Sequence, residues 1–506
     1  MLRKIITATL LGIDARIISV EIDVQPGLPY VNIVGLADTT IKEARERVRA
    51  AIVNSGFEYP KQRITISLSP AGIPKEGSHF DLPIAIGVLG TSFRSMNTEE
   101  FGFIGELSLD GIVGGVRGAL PLAITMREQG VKKIVVPSVN AQEVSLLKDV
   151  EVYPVSSLTQ CIDFLTGVIE IDAYKRKEKV LDEQESIPDF GEVRGNESVK
   201  RGLVIAAAGN HGVLMLGSPG CGKTMMARRI PYILPEMDYE ETLEVTKIHS
   251  AAGDMTSDYI LSGRRPFRAP HHTITKAALI GGGQLPQPGE ISLAHNGVLF
   301  LDEFGEFDSG AIELLRQPVE EGVIRINRAR WATDFPCRLM LVAAANPCKC
   351  GFFGDEEHLC TCTPRQLDAY SAKFSGPMLD RIDMHINVHP VREELMLNEE
   401  IGLTTERMKA MVTETVERQK SRYKCTGINF NSRLSERDLK HFCRLGEKEE
   451  QFLQDAFVNM GLSMRGYNKV LKVSRTIADL CNSDDIKISH IAEALYYRSI
   501  DRIYRR

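Results

Sequence analysis

The sequence predicts an α/β protein with three domains, and three observations lead to this fold class. A chain of 506 residues is too long for one hydrophobic core and suggests about three domains. Residues 1–168 alternate strand-like and helix-like apolar patterns, which favours a mixed α/β domain. A glycine-rich loop near residue 217 lies between an apolar strand and a helix, as in parallel-sheet domains, and the residues beyond 395 have helical spacing. We therefore expect two α/β domains followed by a helical one.

The composition and the charge of the chain exclude several classes of protein. The chain is 43% hydrophobic and 25% charged, as in soluble globular proteins, and its net charge of −6 excludes a uniformly basic surface for nucleic acid. The apolar run Ile5–Ile13 resembles the start of a signal peptide, but Asp14 and Arg16 interrupt it, and no run of about 18 apolar residues follows. Ten cysteines in such a chain do not indicate a disulfide framework. We expect a cytoplasmic protein that does not enter a membrane.

The first 168 residues predict the elements of a mixed α/β domain. Alternation from Ile5 to Val31 predicts two or three strands. Asp38 is placed to cap an amphipathic helix, and Gly56 is placed to end it. The other predicted elements are a strand over 63–69, a strand over 103–109, a helix over 120–129 and a strand over 133–137.

A phosphate-binding motif organises the second domain. The apolar strand Val213–Leu216 precedes it and a helix follows it, which is the context that the pattern G-x-x-x-x-G-K-[ST] needs. Glycines let successive backbone N–H groups point at phosphates, the lysine adds a positive charge, and the threonine hydroxyl can ligate Mg²⁺. The motif predicts binding of ATP with Mg²⁺, and its residues are Gly217, Ser218, Pro219, Gly220, Cys221, Gly222, Lys223 and Thr224.

Two further apolar strands end in polar side chains suited to ATP hydrolysis. The strand before Asp302 and Glu303 places two carboxylates at its end, where Asp302 can join the Mg²⁺ shell and Glu303 can polarise the attacking water. The strand over 339–345 ends in Asn346, whose amide can orient that water or contact the γ-phosphate; an asparagine at a strand end is also a common turn residue. The sequence therefore predicts an ATP hydrolase.

Four cysteines form two C-x-C pairs separated by nine residues. Four soft ligands suit tetrahedral Zn²⁺, and glycines between the pairs allow the loop to fold back. The C-x-C spacing is also compatible with four reduced thiols. The candidate zinc ligands are Cys348, Cys350, Cys360 and Cys362.

A basic hairpin is the candidate contact for DNA. Residues 322–331 alternate apolar and basic side chains, which predicts a hairpin whose Arg325, Arg328 and Arg330 can face the pore of a ring. Such a row of arginines can bind phosphates without reading base sequence, or can be an ordinary solvated face. A second basic segment can face the same pore, and its cationic residues are Arg264, Arg265, Arg268 and Lys276.

The first domain resembles the protease domain of Lon, which implies an α+β fold like that of ribosomal protein S5. The resemblance covers Pro74–Gly77, Gly105–Leu109 and Ile134–Pro137. His79 stands where Lon has its serine nucleophile, and no lysine occurs over 117–120, where the partner of that serine would lie. A Ser–Lys dyad needs both residues, so the resemblance implies the fold without peptidase activity.

Over essentially its whole length, the chain resembles the magnesium-chelatase-like AAA+ ATPases of bacteria, the family of competence protein ComM and YifB. The strings that carry the resemblance are Arg265–Thr273, Gly281–Gly283, Pro288–Gly297, Asn346–Cys348 and Arg475–Leu480. The resemblance implies four segments, namely a Lon-protease-like domain without the Ser–Lys dyad over 1–168, a linker over 169–188, an AAA+ ATPase domain over 189–395 and a C-terminal helical lid over 396–506.

The same resemblance implies roles that spacing cannot supply. Arg381 would be the arginine finger that reaches a neighbouring subunit's γ-phosphate, Arg465 the second sensor from the lid, and Asn346 the first sensor. A finger that acts on a neighbour requires a homo-oligomeric ring, commonly a hexamer in this superfamily. The implied function is translocation on single-stranded or branched DNA, as in helicase action or branch migration during recombination or natural transformation. The alternative is a chelatase-type ATPase that remodels a protein partner.

Overall fold

The computed structural model describes residues 2–93, 95–176, 187–254, 258–283, 286–328, 331–355, 358–374, 379–390, 402–424 and 426–498. Within these ranges the chain has the expected α/β architecture, with a parallel sheet in its middle part and helices after it. The boundaries of the four predicted segments stay predictions, and most of the linker, residues 177–186, lies outside the described residues.

The N-terminal region is a mixed sheet covered by helices. Its main sheet has seven strands in the order β3-β4-β2-β1-β5-β8-β9. The strands are β1 Leu2–Leu11, β2 Asp14–Gln25, β3 Tyr30–Val34, β4 Arg63–Ser69, β5 Phe101–Phe103, β6 Glu106–Leu107, β7 Val113–Gly114, β8 Lys133–Pro137 and β9 Glu151–Val155. The helices are α1 Thr39–Asn54, α2 Asp81–Gly90, α3 Ala119–Glu128, α4 Ala141–Val144 and α5 Leu158–Leu165.

Local sequence signals explain most of these elements. The Asp38 side chain accepts the Ile41 N–H at 2.8 Å and caps α1, and Gly56 follows the helix with a φ of +83°. The continuous strand predicted over 103–109 is wrong, because β5 ends at Phe103 and β6 begins at Glu106. The chain leaves the sheet where Gly105 N–H bonds to His79 and its carbonyl accepts Leu82 N–H.

The middle region contains a five-stranded parallel sheet with the order β11-β14-β17-β10-β18. The strands of this region are β10 Val213–Leu216, β11 Phe267–Arg268, β12 Gly281–Gly282, β13 Gln287–Pro288, β14 Val298–Leu301, β15 Val323–Arg328, β16 Trp331–Pro336, β17 Met340–Ala345 and β18 Met384–Asn387. The helices are α6 Glu197–Gly209, α7 Lys223–Ile233, α8 Tyr239–Ala252, α9 Asp258–Leu261, α10 Lys276–Ile280, α11 Glu290–Leu293, α12 Ser309–Leu314, α13 Arg316–Glu321 and α14 Pro364–Ser371.

Both faces of this sheet are buried, which accounts for its almost continuous apolar strands. Met215 and Phe300 lie in the core on the side of α6 and the C-terminal helices, whereas Leu214 and Leu299 lie in the core on the opposite side. The C-terminal helices on the first side are α15 Thr405–Arg422, α16 Glu436–Phe442, α17 Glu447–Met460, α18 Met464–Leu480 and α19 Ile488–Tyr496. None of the helices in the described part of the chain is long and apolar enough to span a membrane.

The contacts of the N-terminal region with the middle region include one with α8 and one with the hairpin β15–β16. Gly118 N–H donates to Ser250 O at 2.8 Å, so α3 lies against α8. The turn between β1 and β2 lies under the hairpin formed by β15 and β16, where Ile13 is buried in the same core as Ile324 and Ile326. The first domain therefore contacts the hairpin that the sequence predicts to bind DNA.

Candidate functional site

The phosphate loop has the backbone geometry and the lysine position that a nucleotide phosphate needs. Gly220 and Gly222 have φ angles of +79° and +88°, which favour glycine. Lys223 begins α7, and its Nζ donates to Gly217 O at 2.7 Å and to Ser218 O at 2.9 Å. The glycines, the helix start and the lysine thus lie together in one loop, which is the arrangement that binds nucleotide phosphates.

The ends of β14 and β17 bring the predicted acidic and amide side chains to this loop. Lys223 Nζ lies 3.2 Å from Asn346 Oδ1, and Thr224 Oγ1 donates to Asp302 Oδ2 at 2.7 Å. A hydroxyl and a carboxylate that share this contact can both ligate Mg²⁺, so the residues present also fit that ion. The structure brings Lys223, Thr224, Asp302 and Asn346 together because parallel strands end at the same edge of a sheet.

Glu303 lies beside this group and has a partner that the sequence reasoning missed. Its backbone is left-handed, with a φ of +51°, and its side chain is 60% exposed. His272 Nδ1 lies 3.2 Å from Glu303 Oε2, so the imidazole is placed to orient the carboxylate. The His271-His272 pair is the only sequence signal for this contact, and it does not indicate which carboxylate is the partner.

Arg381 and Arg465 lie at the opposite edge of the sheet from the phosphate loop. Arg381 precedes β18, next to Gly212 at the beginning of β10, whereas the phosphate loop follows the end of β10. Both arginines contact Glu320, with Arg381 Nε at 2.9 Å and Arg465 Nη1 at 3.7 Å from its Oε1. Glu320, which the sequence analysis did not select, therefore joins the two arginines.

The two arginines border a cavity of about 410 Å³ whose lining contains both cationic and acidic side chains, the acidic ones being Glu320, Asp380 and Asp383. Asp383 anchors the chain beside it, because its carboxylate accepts the Gly212 N–H at 3.1 Å and pairs with Lys469. Burial alone would raise the pKa of Asp383, but Lys469 and His211 hold it well below its usual range. The further cationic residues of the lining are Arg433, Lys469 and Lys472.

Of the three hairpin arginines that the sequence predicts to contact DNA, Arg325 is the one whose side chain the structure describes. Arg325 is 56% exposed, and its guanidinium lies 3.2 Å from Glu321 and 3.9 Å from Asp334. Arg330 and the side chain of Arg328 lie outside the described residues.

The expected basic patch around Arg265 and Arg268 is wrong. Arg265 is buried and bonds to Glu241, Pro235 O and Asn296 O. Arg268 makes two bonds to the Glu290 carboxylate, at 2.7 and 2.8 Å. Both side chains stabilise the fold and are occupied by partners within the chain, because positive charge in a sequence does not reveal which carboxylates face it.

The four cysteines form a compact cluster beside the phosphate loop. Their sulfur atoms all lie within 4.8 Å of one another, and Cys348 Sγ lies 3.3 Å from Cys350 Sγ and 3.7 Å from Cys360 Sγ. The Phe352 backbone N–H contributes most to lowering the pKa of the Cys350 thiol to about 5, whereas, despite the Cys362 backbone N–H, burial and the bonds to Cys350 and Cys348 raise the pKa of the Cys360 thiol to about 12. The structure thus brings together Cys348, Cys350, Cys360 and Cys362 as predicted.

Ser78 and His79 of the N-terminal region, which lie where Lon has its nucleophile, bond to partners within this region. The Ser78 hydroxyl donates to the Glu106 carboxylate, and the buried Lys75 donates to Pro70 O. His79 is buried and bonds to Ala8 O at 3.0 Å. Ser78 thus bonds to a carboxylate and His79 to a backbone carbonyl, and neither of these contacts is with a lysine, which a Ser–Lys dyad needs.

Comparison with known proteins gives similarity along the whole chain. Family models match residues 20–140 ("Subunit ChlI of Mg-chelatase"), 189–396 ("Magnesium chelatase, subunit ChlI") and 402–498 ("Magnesium chelatase, subunit ChlI C-terminal"). YifB of Escherichia coli is 40% identical over 501 residues, which cover 98% of this chain and 97% of that protein. Competence protein ComM of Haemophilus influenzae is 40% identical over 502 residues, with the same coverage of both chains.

A more distant similarity connects the chain to a chelatase subunit. The magnesium-chelatase 67 kDa subunit of Chlorobaculum tepidum is 26% identical over 160 residues, which cover 31% of this chain and 23% of that subunit. The similarity to YifB and ComM is instead nearly complete in both directions. With its phosphate loop, its strand-end carboxylates and this full-length similarity, the chain belongs to the magnesium-chelatase-like family that includes YifB and ComM.

Proposed function

We propose that this chain hydrolyses ATP as one subunit of a ring and couples the hydrolysis to movement along DNA. The observation that carries the proposal is the division of the catalytic side chains between two edges of one sheet. Lys223, Thr224, Asp302 and Asn346 lie together at one edge, and Arg381 with Arg465 lies at the other.

The residues at the first edge have distinct roles in the proposed reaction. Bound Mg²⁺ would supply neutralising charge to the phosphates, with Thr224 and Asp302 as its protein ligands. Lys223 would give up its carbonyl contacts for phosphate oxygens, since these carry the larger negative charge. Glu303, oriented by His272, would accept a proton from the attacking water, and the Asn346 amide would hold that water or the γ-phosphate.

The arginines at the second edge support a ring. The four residues of β10 span about 13 Å between the two edges. Arg381 is held at its own edge by Glu320, so we infer that it serves the phosphates of a neighbouring subunit. The cavity that Arg381 and Arg465 border would receive those phosphates, with Arg381 and Arg465 as their ligands. Arg465 would act there from the helical lid as the second sensor, and a hexamer is the ring size that the family resemblance favours.

The DNA part of the proposal rests on the hairpin and on one relative. Arg325 is exposed on β15, and its partners Glu321 and Asp334 are themselves surface residues, so phosphate oxygens can replace them. Arg328 and Arg330 continue the same basic hairpin in the sequence. One full-length relative is named a competence protein, which favours a role in natural transformation or recombination for this chain as well.

A chelatase-type ATPase that remodels a protein partner is the second candidate. The partial similarity to the 67 kDa chelatase subunit favours it, and the family model over residues 20–140 also carries the chelatase name. The N-terminal region therefore does not argue against this role. Its Lon-like fold and the boundaries of the lid remain part of the proposal.

Steady-state ATP hydrolysis with and without DNA discriminates between the candidates. We would measure turnover with no DNA, with single-stranded DNA and with a four-way junction, using Lys223→Ala as the blank. The DNA motor would be supported if either DNA stimulates turnover of the unaltered protein and does not stimulate turnover of the Arg325→Ala/Arg328→Ala/Arg330→Ala variant. Turnover that requires Lys223 but ignores DNA would reject it and favour a protein partner.

A further inference from the structure

The cysteine cluster touches the phosphate loop directly. Gly351, one residue after Cys350, packs on the ring of Pro219: a Cβ atom at Gly351 would lie 2.6 Å from Pro219 Cδ and Cγ. Gly351 also has a φ of +92°, so both its space and its backbone favour glycine. The turn that carries the first cysteine pair is therefore fitted against the middle of the phosphate loop.

A second contact joins the phosphate loop to the segment between the two cysteine pairs. The Ser218 hydroxyl donates to the Asp355 carboxylate, whose side chain is 4% exposed. The other oxygen of Asp355 accepts the His358 backbone N–H at 3.0 Å. Asp355 thus fixes Ser218 to the chain just before the second pair, Cys360 and Cys362.

A third contact comes through the strand end that precedes the cluster. Asn346, which accepts from Lys223, lies two residues before Cys348, and its carbonyl accepts the Tyr370 hydroxyl at 3.0 Å. Within the described residues, no helix or strand lies between the end of β17 at Ala345 and the start of α14 at Pro364. The segment that contacts the phosphate loop therefore lacks regular secondary structure to hold it there.

The sulfur geometry fits a tetrahedral Zn²⁺ ion. Zinc–thiolate bonds of about 2.3 Å place neighbouring sulfur atoms about 3.8 Å apart. The three measured separations among Cys348, Cys350 and Cys360 are 3.3, 3.5 and 3.7 Å. A disulfide would need about 2.05 Å, so the cluster is arranged as four separate soft ligands.

We propose that the four cysteines bind one Zn²⁺ and that the metal fixes the phosphate loop in its nucleotide-binding conformation through Pro219 and Ser218. The cross-link would restrict a segment that otherwise loses considerable conformational entropy when it docks. Zinc occupancy then sets the affinity for nucleotide. This coupling rests on the proposed nucleotide site, whereas zinc binding itself does not.

The test measures zinc content and nucleotide affinity on the same full-length protein. Elemental analysis gives zinc per chain, and titration calorimetry with Mg²⁺–ADP gives Kd. Cys360→Ser removes one ligand. Gly351→Ala disturbs the contact with Pro219 and the local backbone, and Asp355→Asn weakens the contacts with Ser218 and His358, but both variants keep all four cysteines. Cys481→Ser is the matched control, because Cys481 is an exposed cysteine outside the cluster.

We expect one zinc per chain in the unaltered protein and in Cys481→Ser. Cys360→Ser should lose the metal and raise Kd for ADP about tenfold, equivalent to about 1.4 kcal/mol. Gly351→Ala and Asp355→Asn should keep the zinc and still raise Kd for ADP. This result would show that the contacts with Pro219 and Ser218 affect nucleotide binding even when the metal is present. If Cys360→Ser does not fold, unaltered protein stripped by a thiol-competing chelator and then reloaded with Zn²⁺ gives the same comparison.

Failure of the zinc site, of the coupling and of the nucleotide site would each give a different experimental result. Unaltered protein free of zinc would overturn the metal site. Loss of zinc with an unchanged Kd would overturn the coupling and leave the metal site standing. Unchanged ADP affinity in Lys223→Ala would instead reject the proposed nucleotide site.

Discussion

Arg381 Nε lies 2.9 Å from Glu320 Oε1, and the same oxygen lies 3.7 Å from Arg465 Nη1. One carboxylate on α13 therefore holds an arginine that precedes β18 and another that begins the lid helix α18. A neighbour's phosphates carry more negative charge than Glu320 and can take over both arginines. Glu320 would keep this edge ordered until a neighbouring subunit brings its nucleotide.

Replacement of Arg381 tests whether catalysis crosses between subunits. We expect Arg381→Ala to bind ATP as before and to lose about 10³-fold or more in turnover, as is typical for an arginine finger. Turnover and nucleotide Kd would be measured on the same preparation. Arg437→Ala is a matched control, since Arg437 is an exposed arginine on α16.

Mixing the Lys223→Ala and Arg381→Ala proteins tests more strictly whether Arg381 acts on a neighbouring subunit. Lys223→Ala lacks a working phosphate loop and Arg381→Ala lacks the finger, so each alone should be inactive. In mixed rings, an intact loop of one subunit meets an intact finger of the next, and activity should return in part. No recovery across mixing ratios, with ring assembly verified, would contradict a finger that acts on a neighbour.

Glu303 is predicted to act on water and not in binding. Glu303→Gln should retain ATP binding and lose about 10²- to 10⁴-fold in turnover, the usual contribution of a positioned general base. His272→Ala should give a smaller loss, because it removes the partner that orients Glu303. A Glu303→Gln protein with full turnover would remove the carboxylate from the reaction.

Arg325 is predicted to contribute one phosphate contact to DNA binding. Arg325→Ala should lower DNA affinity and reduce the slope of log affinity against log salt by about one contact. Fluorescence anisotropy at several salt concentrations measures both quantities. Lys61→Ala, which changes an exposed lysine of the N-terminal region, is the control and should leave the slope unchanged.

His79 is expected to make the protein less stable in mild acid. Burial is the main cause that lowers the pKa of His79 to about 4, against 6.5 in an unfolded chain. Between these values the unfolded state binds the extra proton, so stability is fully present above pH 6.5 and falls towards pH 4. The contribution of His79 is at most about 3 kcal/mol.

The measurement compares unfolding of the unaltered protein and of His79→Gln at pH 7 and pH 4.5. Burial raises the pKa of Asp81 to about 6, which acts in the opposite direction, but Asp81 is present in both proteins and its effect cancels in the difference. The unaltered protein should lose more stability on acidification. His441→Gln, at an exposed histidine, should behave as the unaltered protein does.

The sequence predicted which residues of the candidate nucleotide site lie together, because these residues follow local rules. A glycine-rich loop after a strand, and polar residues at the ends of parallel strands, specify positions without knowledge of distant contacts. Lys223, Asp302 and Asn346 come together for this reason. The cysteine pairs also follow a local spacing, and the structure places all four sulfur atoms in one cluster.

These local rules do not predict contacts between residues that are far apart in the sequence. Glu320, Asp355 and His272 acquire their partners only through packing of separate elements, and an acid or a histidine in a sequence does not name its partner. The same limit explains the error over Arg265 and Arg268, which looked like free cations and are bound to internal acceptors. The break after β5 depended on backbone bonds to His79 and Leu82, which the strand pattern does not encode.

The turn between β1 and β2 gives the first domain a mechanical connection to the hairpin. A Cβ atom at Gly12 would lie 2.4 Å from Thr333 Cγ2 on β16, and Ile13 shares a core with Ile324 and Ile326 of β15. If ATP hydrolysis moves the hairpin β15–β16, this contact would move the N-terminal sheet with it. A protein bound to that sheet would then be displaced by the same movement without contacting nucleotide or DNA.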